Sequence, residues 1–126
     1  MIKTTFIMIL ASFALKANCQ EIRCSYVQQT VGYLYQPSTK EYKEEIRTFQ
    51  RDEVCMGPTT IAIGPKTSYY MGEAISRIEK PNNKVYKMKA TDHNRNPLIL
   101  EVAFTPKMTI KATYPEAYYI IYYIED

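Results

Sequence analysis

Apolar and polar residues alternate with a period of two along the second half of the chain, and that pattern narrows the fold more than any other feature. Across residues 97–104, Leu98, Leu100, Val102 and Phe104 fall on one face. Across 108–114, Met108, Ile110, Ala112 and Tyr114 alternate with Thr109, Lys111 and Thr113. Across 84–90, Tyr86, Met88 and Ala90 oppose Val85, Lys87 and Lys89. Such alternation marks half-buried strands of an antiparallel sheet. Shorter candidates lie at 60–63, 74–78 and 22–28. Turn formers punctuate the series: Lys80-Pro81-Asn82-Asn83, His93-Asn94-Arg95-Asn96-Pro97, Thr105-Pro106 and Tyr114-Pro115. The expectation is a mainly β domain, a small antiparallel sandwich or a barrel-like fold.

Residues 38–51 fit two structures. Ser38-Thr39-Lys40-Glu41 matches a helical capping box, and Tyr42, Ile46 and Phe49 then recur at helical spacing. One short helix satisfies that pattern. A hairpin does so too, with Tyr33–Gln36 paired against Glu45–Phe49 around a Pro37-Ser38 turn.

The first nineteen residues read as a cleavable export signal. Lys3 precedes an apolar run of about ten residues from Phe6 to Leu15, too short to span a bilayer. Ala17 and Cys19 put small side chains at −3 and −1 of a cut before Gln20. The division is therefore 1–19 signal peptide and 20–126 a single secreted β-rich domain. Losing Lys3 and Lys16 takes the balance of cations to acids from 16 against 13 to 14 against 13. A near-neutral surface argues against nucleic acid as the partner, and no second apolar run predicts a membrane span. In an oxidising compartment Cys24 and Cys55 pair as the one disulfide of the mature chain. Closing a loop of about thirty residues contributes roughly 3–4 kcal/mol on the chain-entropy model.

Motifs for catalysis are missing. His93 is the one histidine, set in a polar connection beside Asp92 with no nucleophile in its segment. With the cysteines paired, no metal-ligand set remains, so no metal and no cofactor is expected. Glu41, Glu44 and Glu45 interleave with Lys40, Lys43 and Arg47 as a solvated face. Lys87, Lys89, Lys107 and Lys111 make a modest basic patch only if their strands are neighbours. Tyrosine is the unusual residue: twelve occur with no tryptophan, and five fall between Tyr114 and Tyr123. In 118–124, Tyr118, Ile120, Tyr122 and Ile124 alternate with Tyr119, Ile121 and Tyr123, so both faces are apolar with polar tips. Two readings stand: a strand buried inside the sheet, or a ligand or partner surface carried by Tyr118, Tyr119, Tyr122 and Tyr123.

The stretch Lys84-Val85-Tyr86-Lys87-Met88-Lys89-Ala90-Thr91-Asp92 resembles a signature of the insect multiprotein bridging factor two family. Ile63-Gly64 with Glu73-Ala74-Ile75, Met108-Thr109-Ile110-Lys111, and Tyr119-Ile120-Ile121-Tyr122-Tyr123 look like further elements of it. The likeness spans about residues 60–124. The glycine-rich segment that follows the aspartate in the family is replaced here by His93–Pro97, and both cysteines lie outside the likeness. The resemblance implies a secreted β-rich protein and carries over no site residues. Taken together, the sequence predicts a secreted, non-enzymatic binding or effector protein acting on an extracellular protein, as a component of saliva, venom or haemolymph would. A carrier of a small apolar ligand is the alternative, and a small secreted hydrolase ranks last.

Overall fold

The computed structural model describes residues 22–125, so the expected signal segment, 1–19, lies outside the described residues. Nine strands follow in order: β1 (Arg23–Gln36), β2 (Glu41–Thr48), β3 (Glu53–Met56), β4 (Thr60–Ile63), β5 (Thr67–Lys80), β6 (Asn83–Asp92), β7 (Pro97–Ala103), β8 (Thr109–Tyr114) and β9 (Tyr118–Ile124). All pairings are antiparallel. β1 and β3 through β9 form an up-and-down wall that closes where β9 pairs with β1. The fold is therefore an eight-stranded barrel with β2 as an additional strand, the barrel member of the two predicted architectures.

The alternation predicted for β6, β7 and β8 points where expected. Met88, Ala90, Leu98, Leu100, Val102, Phe104, Met108, Ile110 and Ala112 are all buried, joined by Val27, Val54, Met56, Ile61, Tyr69 and Ile124 from the other strands. Each large aliphatic or aromatic side chain taken fully out of water contributes roughly 1.5–3 kcal/mol. These side chains fill the barrel core, as expected for a barrel of this strand number.

No helix occurs among the described residues, so the helical reading of 38–51 is corrected in favour of the hairpin. Its register differs from the expected one: Tyr33 faces Glu44 and Gln36 faces Glu41 across the four-residue turn 37–40. The turn at 37–40 sets that register, and a bulge opposite Gly32/Tyr33 shifts it only farther along the ladder. That bulge puts Tyr42 and Ile46 on opposite faces of β2, although their spacing of four imitates one face of a helix.

β2 and β3 run along the same edge of β1, interrupted at 49–52, where the Val27 N–H donates to the Asp52 carbonyl. Only β3 goes on to pair with β4, through Val54–Met56. β2 pairs with β1 alone. One end of the barrel wall thus lacks a strand beside β2. Cys24 and Cys55 sit directly opposite each other on the β1–β3 ladder and form a disulfide on its outer face.

Candidate functional site

The missing strand leaves an apolar cleft on the inward face of β9, β1 and β2. A bulge between Val27 and Gln29 resets the alternation of β1, so Thr30, Gly32 and Leu34 share the inward face with Ile120 and Tyr118 across the β1–β9 ladder. Ile46 and Thr48 of β2 add to the lining, with Tyr33 and Glu45 beside them, around a volume of about 480 Å³. Gly32 leaves room in the cleft. A Cβ built there has its nearest neighbour, the Ile46 carbonyl oxygen, 4.0 Å away. The rim is apolar and open to water: Leu34 is 45% exposed, Ile46 63% and Tyr118 38%. Side chains of this kind are usually covered in a finished core.

Below and beside this mouth the inward tyrosines are tied down. Tyr69 and Tyr122 share a 2.7 Å hydroxyl–hydroxyl hydrogen bond in the core. Burial pushes both phenols above their ordinary range, strongly so for Tyr69. Tyr114 stacks on Tyr118 at 4.6 Å between ring centroids and donates its hydroxyl to Asp92 Oδ2 at 2.7 Å. Asp92 also accepts the backbone N–H groups of Asn94 and Asn96 on Oδ1 and the Asn96 carboxamide on Oδ2. Burial opposes ionisation of that carboxyl, yet these four donors hold it at about 2, well below the usual carboxylate range. Asp92 is thus a clamp for the β6–β7 connection.

The outward face of β2, β1 and β9 carries a second tyrosine set. Tyr33 stacks on Tyr119 at 4.5 Å, Tyr42 leans on Tyr119 at 4.8 Å and on Tyr35 at 5.2 Å, and Lys111 Nζ lies 4.4 Å from the Tyr119 centroid. Their ring faces are occupied by one another.

The four tyrosines singled out from the sequence therefore do not share a surface. Tyr118 lines the cleft, Tyr122 is buried against Tyr69, and Tyr119 and Tyr123 look outward. Gly32, Leu34 and Ile46 are the cleft residues that the sequence left unmarked; an isoleucine isolated among charges was their one signal. The four lysines do not gather either. Glu101 sits between Lys87 and Lys111 across three strands, and Lys89 lies 3.8 Å from Glu73. His93 is exposed in the β6–β7 turn, with Asn94 as its hydrogen-bonding neighbour. Cys24, Glu53 and Cys55 cluster within ligating distance of one another, but the disulfide leaves no thiolate for a metal.

The chain matches no known family model, no curated protein and no solved structure.

Proposed function

We propose that this is a secreted, non-catalytic binding protein that holds an extended apolar segment of an extracellular protein in the cleft between β1, β2 and β9. One observation carries the reading: exposed Leu34, Ile46 and Tyr118 ring a cleft of about 480 Å³ beside the unpaired edge of β2. A free strand edge offers main-chain hydrogen bonds to an extended peptide, and pockets beside it take alternate side chains. The lining includes Glu45 and Tyr118 but neither a histidine nor a cysteine, which suits binding better than acid–base or nucleophilic chemistry. The disulfide accords with an extracellular setting. The likeness of residues 60–124 to the insect family would place the protein among secreted β-rich proteins.

Photo-crosslinking from position 48, with the purified protein in extracellular fluid, tests the reading. A protein crosslinked by the wild type and lost in Ile46→Asp supports it; crosslinking unchanged by that substitution overturns it. The size of the cleft favours a second reading, since pockets of 300–1,000 Å³ hold small molecules. On that reading a fluorescent apolar probe binds the wild type and is excluded by Gly32→Leu, whose side chain occupies the cleft.

A further inference from the structure

A second concavity, of about 360 Å³, lies where the bulged start of β1 and the end of β9 adjoin Arg47 of β2 and the β7–β8 connection. Its lining includes Gln28, Gln29, Arg47, Lys107 and Tyr123 and contains no carboxylate, over an apolar floor that includes Met108. We infer that this concavity is a binding site for a tetrahedral oxyanion, the sulfate or phosphate ester group of an extracellular ligand.

The argument starts from the backbone. Consecutive residues of a strand point to opposite faces, so Gln28 and Gln29 would ordinarily be separated by the sheet. The β1 bulge between Val27 and Gln29 breaks that rule and brings both carboxamides to the same concavity, the re-aiming that bulges allow. On the ladder beyond it, Gln29 faces Tyr123 and Tyr123 faces Thr109, giving a polar rung of an amide and two hydroxyls. The two cations stand on opposite sides of this rung. Arg47 comes from β2, and its Nε and Nη2 atoms are held by Glu44 at 3.0 and 2.8 Å. That bidentate grip fixes the guanidinium and leaves its Nη1 side for another acceptor. Lys107 comes from the β7–β8 connection and is exposed. Two cations, two carboxamides and a phenol give several N–H and O–H donors around one opening. A sulfate or phosphate ester offers acceptor oxygens in matching number and a charge that Lys107 attracts. The site is separate from the apolar cleft, so it holds whether or not the proposed function does.

The test is a titration of the isotope-labelled protein with sodium sulfate and with sodium phosphate, against sodium chloride at equal ionic strength. The side-chain NH₂ signals of Gln28 and Gln29 are the readout. Saturable shifts with the oxyanions and none with chloride are expected. Lys107→Gln should weaken the binding about fivefold, the size of a partly exposed charge contact. Gln28→Glu, on an exposed position, should abolish it. Unchanged backbone amide signals elsewhere in each variant exclude misfolding. Comparing a sulfated disaccharide with a phosphorylated monosaccharide separates the two sources, the tighter of them naming the class. Shifts that do not saturate, that chloride reproduces, or that survive both substitutions overturn the inference.

Discussion

Tyr69 and Tyr122 share one hydrogen bond in a place water does not reach, so each hydroxyl depends on the other. Replacing Tyr122 with Phe leaves the Tyr69 hydroxyl buried without that partner, at a cost of about 1–3 kcal/mol. Replacing both removes the polar pair together and should restore most of the loss. Urea denaturation of the two single variants and the double checks this; additive losses would show the bond to be irrelevant. Asp92 makes the opposite case, a buried charge kept by its donors. Its carboxyl titrates at about 2 in the fold against 3.8 as the unperturbed value. A lowered folded value means stability that is present above 3.8 and drains away as the pH falls toward 2. The stability gap between wild type and Asp92→Asn should therefore be widest near neutrality and close in strong acid. Tyr86 works with the reverse sign. Burial, then its hydrogen bond to Glu79, pushes it up to about 12 from 10.0, so its contribution holds below pH 10 and fades as the pH rises toward 12.

Strand identity was legible wherever one face is core and the other wet along an unbroken run. That is why β6, β7 and β8, with Met88, Leu100 and Ile110 inward, could be read from alternation alone. β9 was harder, since tyrosine and isoleucine occupy both of its faces: Tyr122 meets Tyr69 inside, while Tyr119 packs on Tyr33 and Tyr42 outside. β1 and β2 escaped a clean reading because bulges shift their parity partway along. β3 was missed: Glu53–Met56 is too short to show a period, with Val54 and Met56 its two inward residues. The β8–β9 turn carries a local conflict open to test. Pro115 precedes Glu116, whose φ is 57°, and the Ala117 N–H returns to the Tyr114 carbonyl at 3.0 Å. This is the type II pattern, in which the third position favours glycine. A left-handed residue other than glycine costs about 1–2 kcal/mol, partly offset by the greater freedom glycine has when unfolded. Glu116→Gly should raise stability by up to about 1 kcal/mol, measured as a higher denaturation midpoint at constant slope.

Closing the barrel creates both the stability and the candidate site. Alternation gives each strand an inside and an outside, but it does not say which strand falls short, so the cleft of Leu34, Ile46 and Ile120 could not be read before the wall was assembled. The other free edge that closure leaves, along the outer part of β5, is guarded. It carries Glu73, Arg77, Glu79 and Lys80 with two bulges. Charges and bulges of this kind discourage edge-to-edge aggregation. The thinnest part of the wall is β3 with β4, held by four residue pairs to β1 on one side, four to β5 on the other and three between them, whereas β9 meets β1 through seven. The Cys24–Cys55 disulfide crosses the β1–β3 ladder and closes a separation of 31 residues. Its chain-entropy contribution is about 3–4 kcal/mol, a large share of what a domain of this size holds in reserve. Mass spectrometry of the protein purified without reductant should find this bond intact, with two alkylatable thiols only after reduction. Replacing both cysteines with serine should then cost stability unevenly. Hydrogen exchange should quicken first in β3 and the facing residues of β1, while β6, β7 and β8, whose inward residues sit in the middle of the core, keep their protection until global unfolding. Exchange that accelerates equally in all strands would mean that the bond acts only by constraining the unfolded chain. Protection unchanged in β3 would mean that the β1–β3 ladder stands without its covalent link.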